Sequence, residues 1–92
     1  MFVVVAYDVA DNKRLARVAK IMEDYGTRVQ YSIFEIYADA SILREITKRV
    51  SMILNEKEDS VRIYALCANC EKKFEVLGNP VYTAPQNDVV IY

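Results

Sequence analysis

The run Arg28-Val-Gln-Tyr-Ser-Ile-Phe-Glu-Ile-Tyr37 alternates with period two and is the clearest strand signal in the chain. Val29, Tyr31 and Ile33 fall on one side, with Arg28, Gln30, Ser32 and Phe34 on the other. Upstream, Phe2–Asp8 is a short Val-rich apolar run suited to a central strand buried on both faces. Asp11 can cap a helix running to about Tyr25. Leu15, Val18, Met22 and Tyr25 form its apolar face, while Lys13, Arg17 and Lys20 lie on another. Gly26 stands where a left-handed C-cap is expected.

Downstream, Ser41 to Leu54 fits a second helix with Ile42, Ile46, Val50 and Ile53 as its stripe. Glu45 and Arg49 are spaced as an i, i+4 pair. Asp59–Cys67 reads as a further strand, with Val61, Ile63 and Ala65 opposed to Arg62, Tyr64 and Leu66. A turn or short helical piece over Ala68–Lys72 leads into Lys73–Leu77, a fourth strand that stops at Gly78. The expected class is α+β, in the β-α-β-β-α-β order of the ferredoxin-like or split βαβ fold. A four-stranded antiparallel sheet would carry both helices on one face.

Residues 1–92 are expected to form one domain, with a core over 1–78 and a tail over 79–92. Asp88-Val-Val-Ile-Tyr92 adds strand-forming residues beyond a complete fold, and pairing with the sheet of a second copy would satisfy them. The uncovered face, expected to hold Phe34 and Ile36 beside Arg28, Gln30 and Ser32, suits a homodimer interface that also lines a polar site.

Composition removes much of enzymology. The 92 residues contain no His and no Trp, and Gly occurs only at 26 and 78. Without His there is no imidazole base and no His metal ligand. Two glycines cannot build a phosphate-cradling loop. A net charge of −1 advertises no nucleic-acid partner globally, so a phosphate-binding surface must be local. The six-residue apolar run from Phe2 to Tyr7 is too short for a membrane span and lacks a signal peptide's basic start, which points to a cytoplasmic protein. Cys67 and Cys70 form a lone CxxC. Zinc would need four ligands, so two semi-buried thiols near a strand end are the better reading.

Asp8 ends the first strand, either as a turn or capping residue or as a hard-metal ligand. One carboxylate is a weak site, but a two-fold axis nearby would add its copy. Arg14, Arg17, Lys20 and Arg28 form a loose basic set, suited to solubility and helix pairing or to gripping phosphates. Tyr7, Tyr31 and Phe34 could stack on bases, although Tyr31 reads better as core.

Taken in order, Tyr7-Asp8-Val9, Arg14, Arg17, Tyr25-Gly26, Arg28 to Glu35 and Asp59-Ser-Val-Arg-Ile-Tyr64 closely resemble the CRISPR-associated "Cas two" family. These small proteins accompany the integrase of the spacer-acquisition module in antiviral defence. The resemblance implies a ferredoxin-like homodimer whose C-terminal strand extends its partner's sheet. It also implies a Mg²⁺- or Mn²⁺-dependent endonuclease acting on single-stranded RNA or double-stranded DNA. Asp8 matches the family's metal-binding and catalytic carboxylate. Tyr7, Arg17, Arg28, Ser32 and Phe34 match positions around that site; Arg14 matches less firmly, because the intervening loop varies in length. Lacking His, such an enzyme is expected to rely on a divalent ion to acidify water, with Arg17 or Arg28 stabilising the added charge. The alternative is a non-catalytic dimer that bridges the CRISPR integrase and supports duplex DNA. A ferredoxin-like regulatory module is the third reading; it would lack salt-sensitive nucleic-acid binding.

Overall fold

The computed structural model describes residues 1–66 together with Leu77 and Gly78. Cys67, Cys70, the piece over Ala68–Lys72, all but the last residue of the strand expected over Lys73–Leu77, and the 79–92 tail lie outside the described residues. The chain runs β1 (Phe2–Asp8), α1 (Asn12–Glu23), β2 (Gly26–Gln30), β3 (Ile33–Tyr37), α2 (Ala40–Ser51) and β4 (Ser60–Leu66). The sheet order is β2-β3-β1-β4 with every neighbouring pair antiparallel, the ferredoxin-like arrangement expected.

The chain reaches that order by a different division from the one the sequence suggests. Arg28–Tyr37 is not one strand but most of a hairpin that turns at Tyr31–Ser32. The turn carries no Gly, Pro or Asn; hydrogen bonds to its two carbonyls, one long-range and one local, hold it instead. Its Ser32 carbonyl accepts from the Tyr7 amide at 3.0 Å, and its Tyr31 carbonyl accepts from the Arg28 guanidinium at 3.1 and 2.9 Å. A register shift between Arg28 and Gln30 adds a bulge, so the alternation seen in sequence changes phase there.

Faces change accordingly. Phe34 and Ile36 pair with Val5 and Val3 and are fully buried beneath the helices, not exposed on the open face. Arg28 is opposite Phe34 on that same helix side, whereas Gln30 is opposite Ile33 on the open side. The open face instead presents Val4, Ala6, Asp8, Ile33, Glu35, Tyr37, Arg62 and Tyr64, as the pairing register requires.

The core joins Val3, Val5, Tyr7, Phe34 and Ile36 from the sheet to Val18, Met22, Ile46 and Val50 from the helices. Both apolar stripes face the core, with Leu15 and Ile42 partly buried at their margins; the helices stop at Glu23 and Ser51, short of the expected ends, so Tyr25 and Ile53 pack on the core from just beyond them. Asp11 caps α1 through a 2.9 Å bond from the Arg14 amide, and Asp39 caps α2 from Ile42 at 2.8 Å. Two details differ from expectation. Gly26 is no helix cap but a strand residue opposite Ile36, where a Cβ would collide with the Glu35 carbonyl and the Ile36 side chain. Arg49 reaches Asp24 and the Tyr25 hydroxyl across the helix pair, at 3.1 and 2.9 Å, while the same hydroxyl donates to Glu45. Tertiary partners displace the i, i+4 pairing.

Candidate active site

β1 delivers Asp8 to the end of the sheet because its inward residues, Val3, Val5 and Tyr7, are anchored in the core. The carboxylate is exposed and borders an open cleft of about 420 Å³ with Tyr7, Asn12, Tyr31 and Ser32. Across the strand pair Asp8 faces Ser60. Asp8 and Ser32 therefore border one cleft.

Tyr7 closes the back of the cleft. Its ring is buried and stacks at 6.2 Å on Phe34, and its hydroxyl donates to the Tyr31 carbonyl at 3.3 Å. Burial pushes the phenol up to about 12, and the nearby Arg28 guanidinium opposes this only in part. Arg28 is half-buried, with its guanidinium over the Tyr31 and Phe34 rings at 5.1 and 5.7 Å. Tyr7, Arg28 and Phe34 thus pack together around the Tyr31–Ser32 turn. Tyr31, expected in the core, is only half-buried and lines the cleft.

The remaining basic residues lie elsewhere. Arg17 is exposed on α1 in a groove shared with Lys20, Asp24 and Arg49, between the helices. Lys20 also borders a recess with Asn12, Glu23, Arg28 and Tyr31. Arg14 is engaged rather than presented: its guanidinium bonds Asp59 at 2.9 and 3.2 Å and Glu58 at 3.1 Å.

Asp59 is a feature that sequence reasoning missed. Its side chain is fully buried and accepts from Arg14 and from the Ala10 and Asn55 amides, both at 2.9 Å. It ties the loop after Asp8 to the start of β4. Arg14 foremost, then the two backbone donors, hold its carboxyl well below the usual range against the opposing effect of burial. The cue was an Asp directly before an alternating strand, which reads just as well as a turn residue.

Among the described residues no three carboxylate or thiol side chains gather around one point. What the cleft offers a cation is one exposed carboxylate with neutral oxygens from Ser32 and Asn12 at its borders. That oxygen-only set fits Mg²⁺, which keeps several waters and takes one or two carboxylates, and the second carboxylate could come from another copy. No helix among the described residues is long and apolar enough to cross a membrane.

Fold and site together define a small ferredoxin-like protein with a lone strand-end carboxylate in a serine-bordered cleft. Residues 1–74 match the model of the CRISPR associated protein Cas2 family, and the chain belongs to that family. It is 38% identical over 88 residues to the CRISPR-associated endoribonuclease Cas2 3 of Synechocystis sp., covering 96% of each chain. Its fold superposes on Cas2 of Streptococcus pyogenes with a TM-score of 0.75 and 42% identity, covering 85% of this chain and all of that one. A chain of a partial Cas6-RT-Cas1–Cas2 complex matches with a TM-score of 0.70 and 26% identity, over 89% and 97% of the two chains.

Proposed function

We propose that this chain is an endonuclease of the CRISPR spacer-acquisition module, hydrolysing phosphodiester bonds of single-stranded RNA or double-stranded DNA as a homodimer. The observation that carries the reading is the exposed Asp8 carboxylate, held at a fixed strand end by the buried Tyr7 beside it. Asp8, with its copy from a second protomer, would hold Mg²⁺ or Mn²⁺. When bound, such an ion acidifies water and neutralises charge on the scissile phosphate.

The chain's own residues do the rest. Tyr7 and Arg28 fix the Tyr31–Ser32 turn, which keeps the cleft wall in place without contacting substrate through their own polar groups. Ser32 presents a neutral donor at that wall. Arg17 and Lys20, outside the cleft, suit longer-range phosphate contacts that follow the backbone without reading sequence.

Purified protein is assayed on labelled RNA and duplex DNA, with and without Mg²⁺, beside Asp8→Asn. Cleavage should need the ion, rise toward alkaline pH and vanish in the variant. Equal cleavage by Asp8→Asn and wild type would sink the nuclease reading.

The likeness to a chain of a Cas1–Cas2 complex favours a second role, a dimeric scaffold that bridges the CRISPR integrase. In that role Asp8→Ala retains spacer acquisition, while changes in the C-terminal segment abolish it. The two roles are compatible.

A further inference from the structure

The Asp8 site needs a cation for the phosphate, and the basic residues suggested by sequence are poorly placed to supply it. Arg28 lies on the helix side of the sheet, opposite Phe34, with its guanidinium bonded to the Tyr31 carbonyl. Arg14 is bound to Asp59 and Glu58. Arg17 occupies the groove between the helices.

Strand parity points elsewhere. Asp8 shares the open face with Ala6, and the register places Arg62 opposite Ala6 and Ser60 opposite Asp8. Arg62 is therefore on the same face as Asp8, one pair along the ladder. The two line a common recess of about 200 Å³ with Ala6, Tyr7 and Ser60. Arg62 is exposed, and it makes no hydrogen bond or ion pair among the described residues. Along β1, β3 and β4 it is the sole cationic side chain on that face of the described sheet.

We propose that Arg62 grips the phosphate beside the scissile bond, its planar donors taking two phosphate oxygens while Asp8 serves the reacting centre. The assignment rests on the nuclease reading of Asp8, but its test does not depend on turnover.

Binding of a labelled single-stranded RNA and of a labelled DNA duplex is measured across a salt series in Asp8→Asn protein, which removes cleavage. Adding Arg62→Gln should weaken binding of one probe by about tenfold or more. The slope of log affinity against log salt should fall by about 0.7–0.9. Arg62→Lys should restore the slope and only part of the affinity, because a point charge lacks the bidentate fork. Unchanged affinity and slope in an Arg62→Gln protein with wild-type Tm overturns the proposal. So does a change in oligomer mass with no change in affinity, or absence of binding to both probes before Arg62 is altered. Failure of the nuclease reading is seen separately, as wild-type cleavage that Asp8→Asn does not reduce.

Discussion

A phenol pushed up to about 12 stays protonated near neutrality, and that decides how Tyr7 is used. Its hydroxyl can donate to the Tyr31 carbonyl but cannot take a proton from water at working pH. Tyr7→Phe should therefore retain cleavage within about tenfold of wild type and cost about 1 kcal/mol of stability, the value of one hydrogen bond. Denaturant unfolding beside a cleavage assay separates the two effects. Phe34 contributes differently. It is fully buried behind Tyr7, so Phe34→Ala should cost about 3–5 kcal/mol, read as a fall in the denaturation midpoint. Any loss of activity in that variant should follow the loss of fold.

Much of the element scale was legible, and the part that was not has a physical cause. Both helices and their Asp caps could be read because amphipathic spacing and capping are local. β1 and β4 followed from composition and alternation. The hairpin was hidden because Tyr31–Ser32 has none of the strong turn formers Gly, Pro, Asn or Asp, and the bulge before it let Phe34 pass for an open-face side chain. Tyr7, distant in sequence, and the Arg28 side chain three residues before it hold that turn. At the site, Asp8 and Ser32 were visible from sequence, whereas the Asp59 clamp depends on residues 45 to 49 positions apart.

That clamp has a pH signature. Because Asp59 is held below its unfolded value, its stabilising contribution is complete above about pH 5 and declines as the pH falls below it. Arg14→Gln removes the largest cause of the shift. Thermal unfolding from about pH 6 to 3 should then show a lower Tm at the upper end and a shallower loss toward acid.

At the scale of the molecule, the open sheet face carries exposed aromatic side chains. Tyr37, opposite Phe2, is 71% exposed and Tyr64, opposite Val4, 50%, and burial already holds the Glu35 carboxyl above its ordinary range. A chain this short buries a modest share of its surface, so a second copy is a natural cover for the Tyr37–Tyr64 end of this face, with the Asp8–Arg62 end at the margin of the pairing. Sedimentation should give twice 10.6 kDa for wild type, and Tyr64→Glu should shift the population toward monomer. Monomeric wild-type protein at tens of micromolar would remove the second Asp8 on which the proposed metal site draws.

Metal-dependent cleavage, if it occurs at this cleft, should depend on Asp8. Its most direct measurement is the initial rate on labelled single-stranded RNA and duplex DNA, for wild type and Asp8→Asn prepared side by side, with Mg²⁺ and with chelator. Wild type should cleave with Mg²⁺ and not with chelator, and the rate should fall at least about a hundredfold in Asp8→Asn at unchanged Tm. Equal rates in the two proteins, or cleavage that survives the chelator, would contradict it.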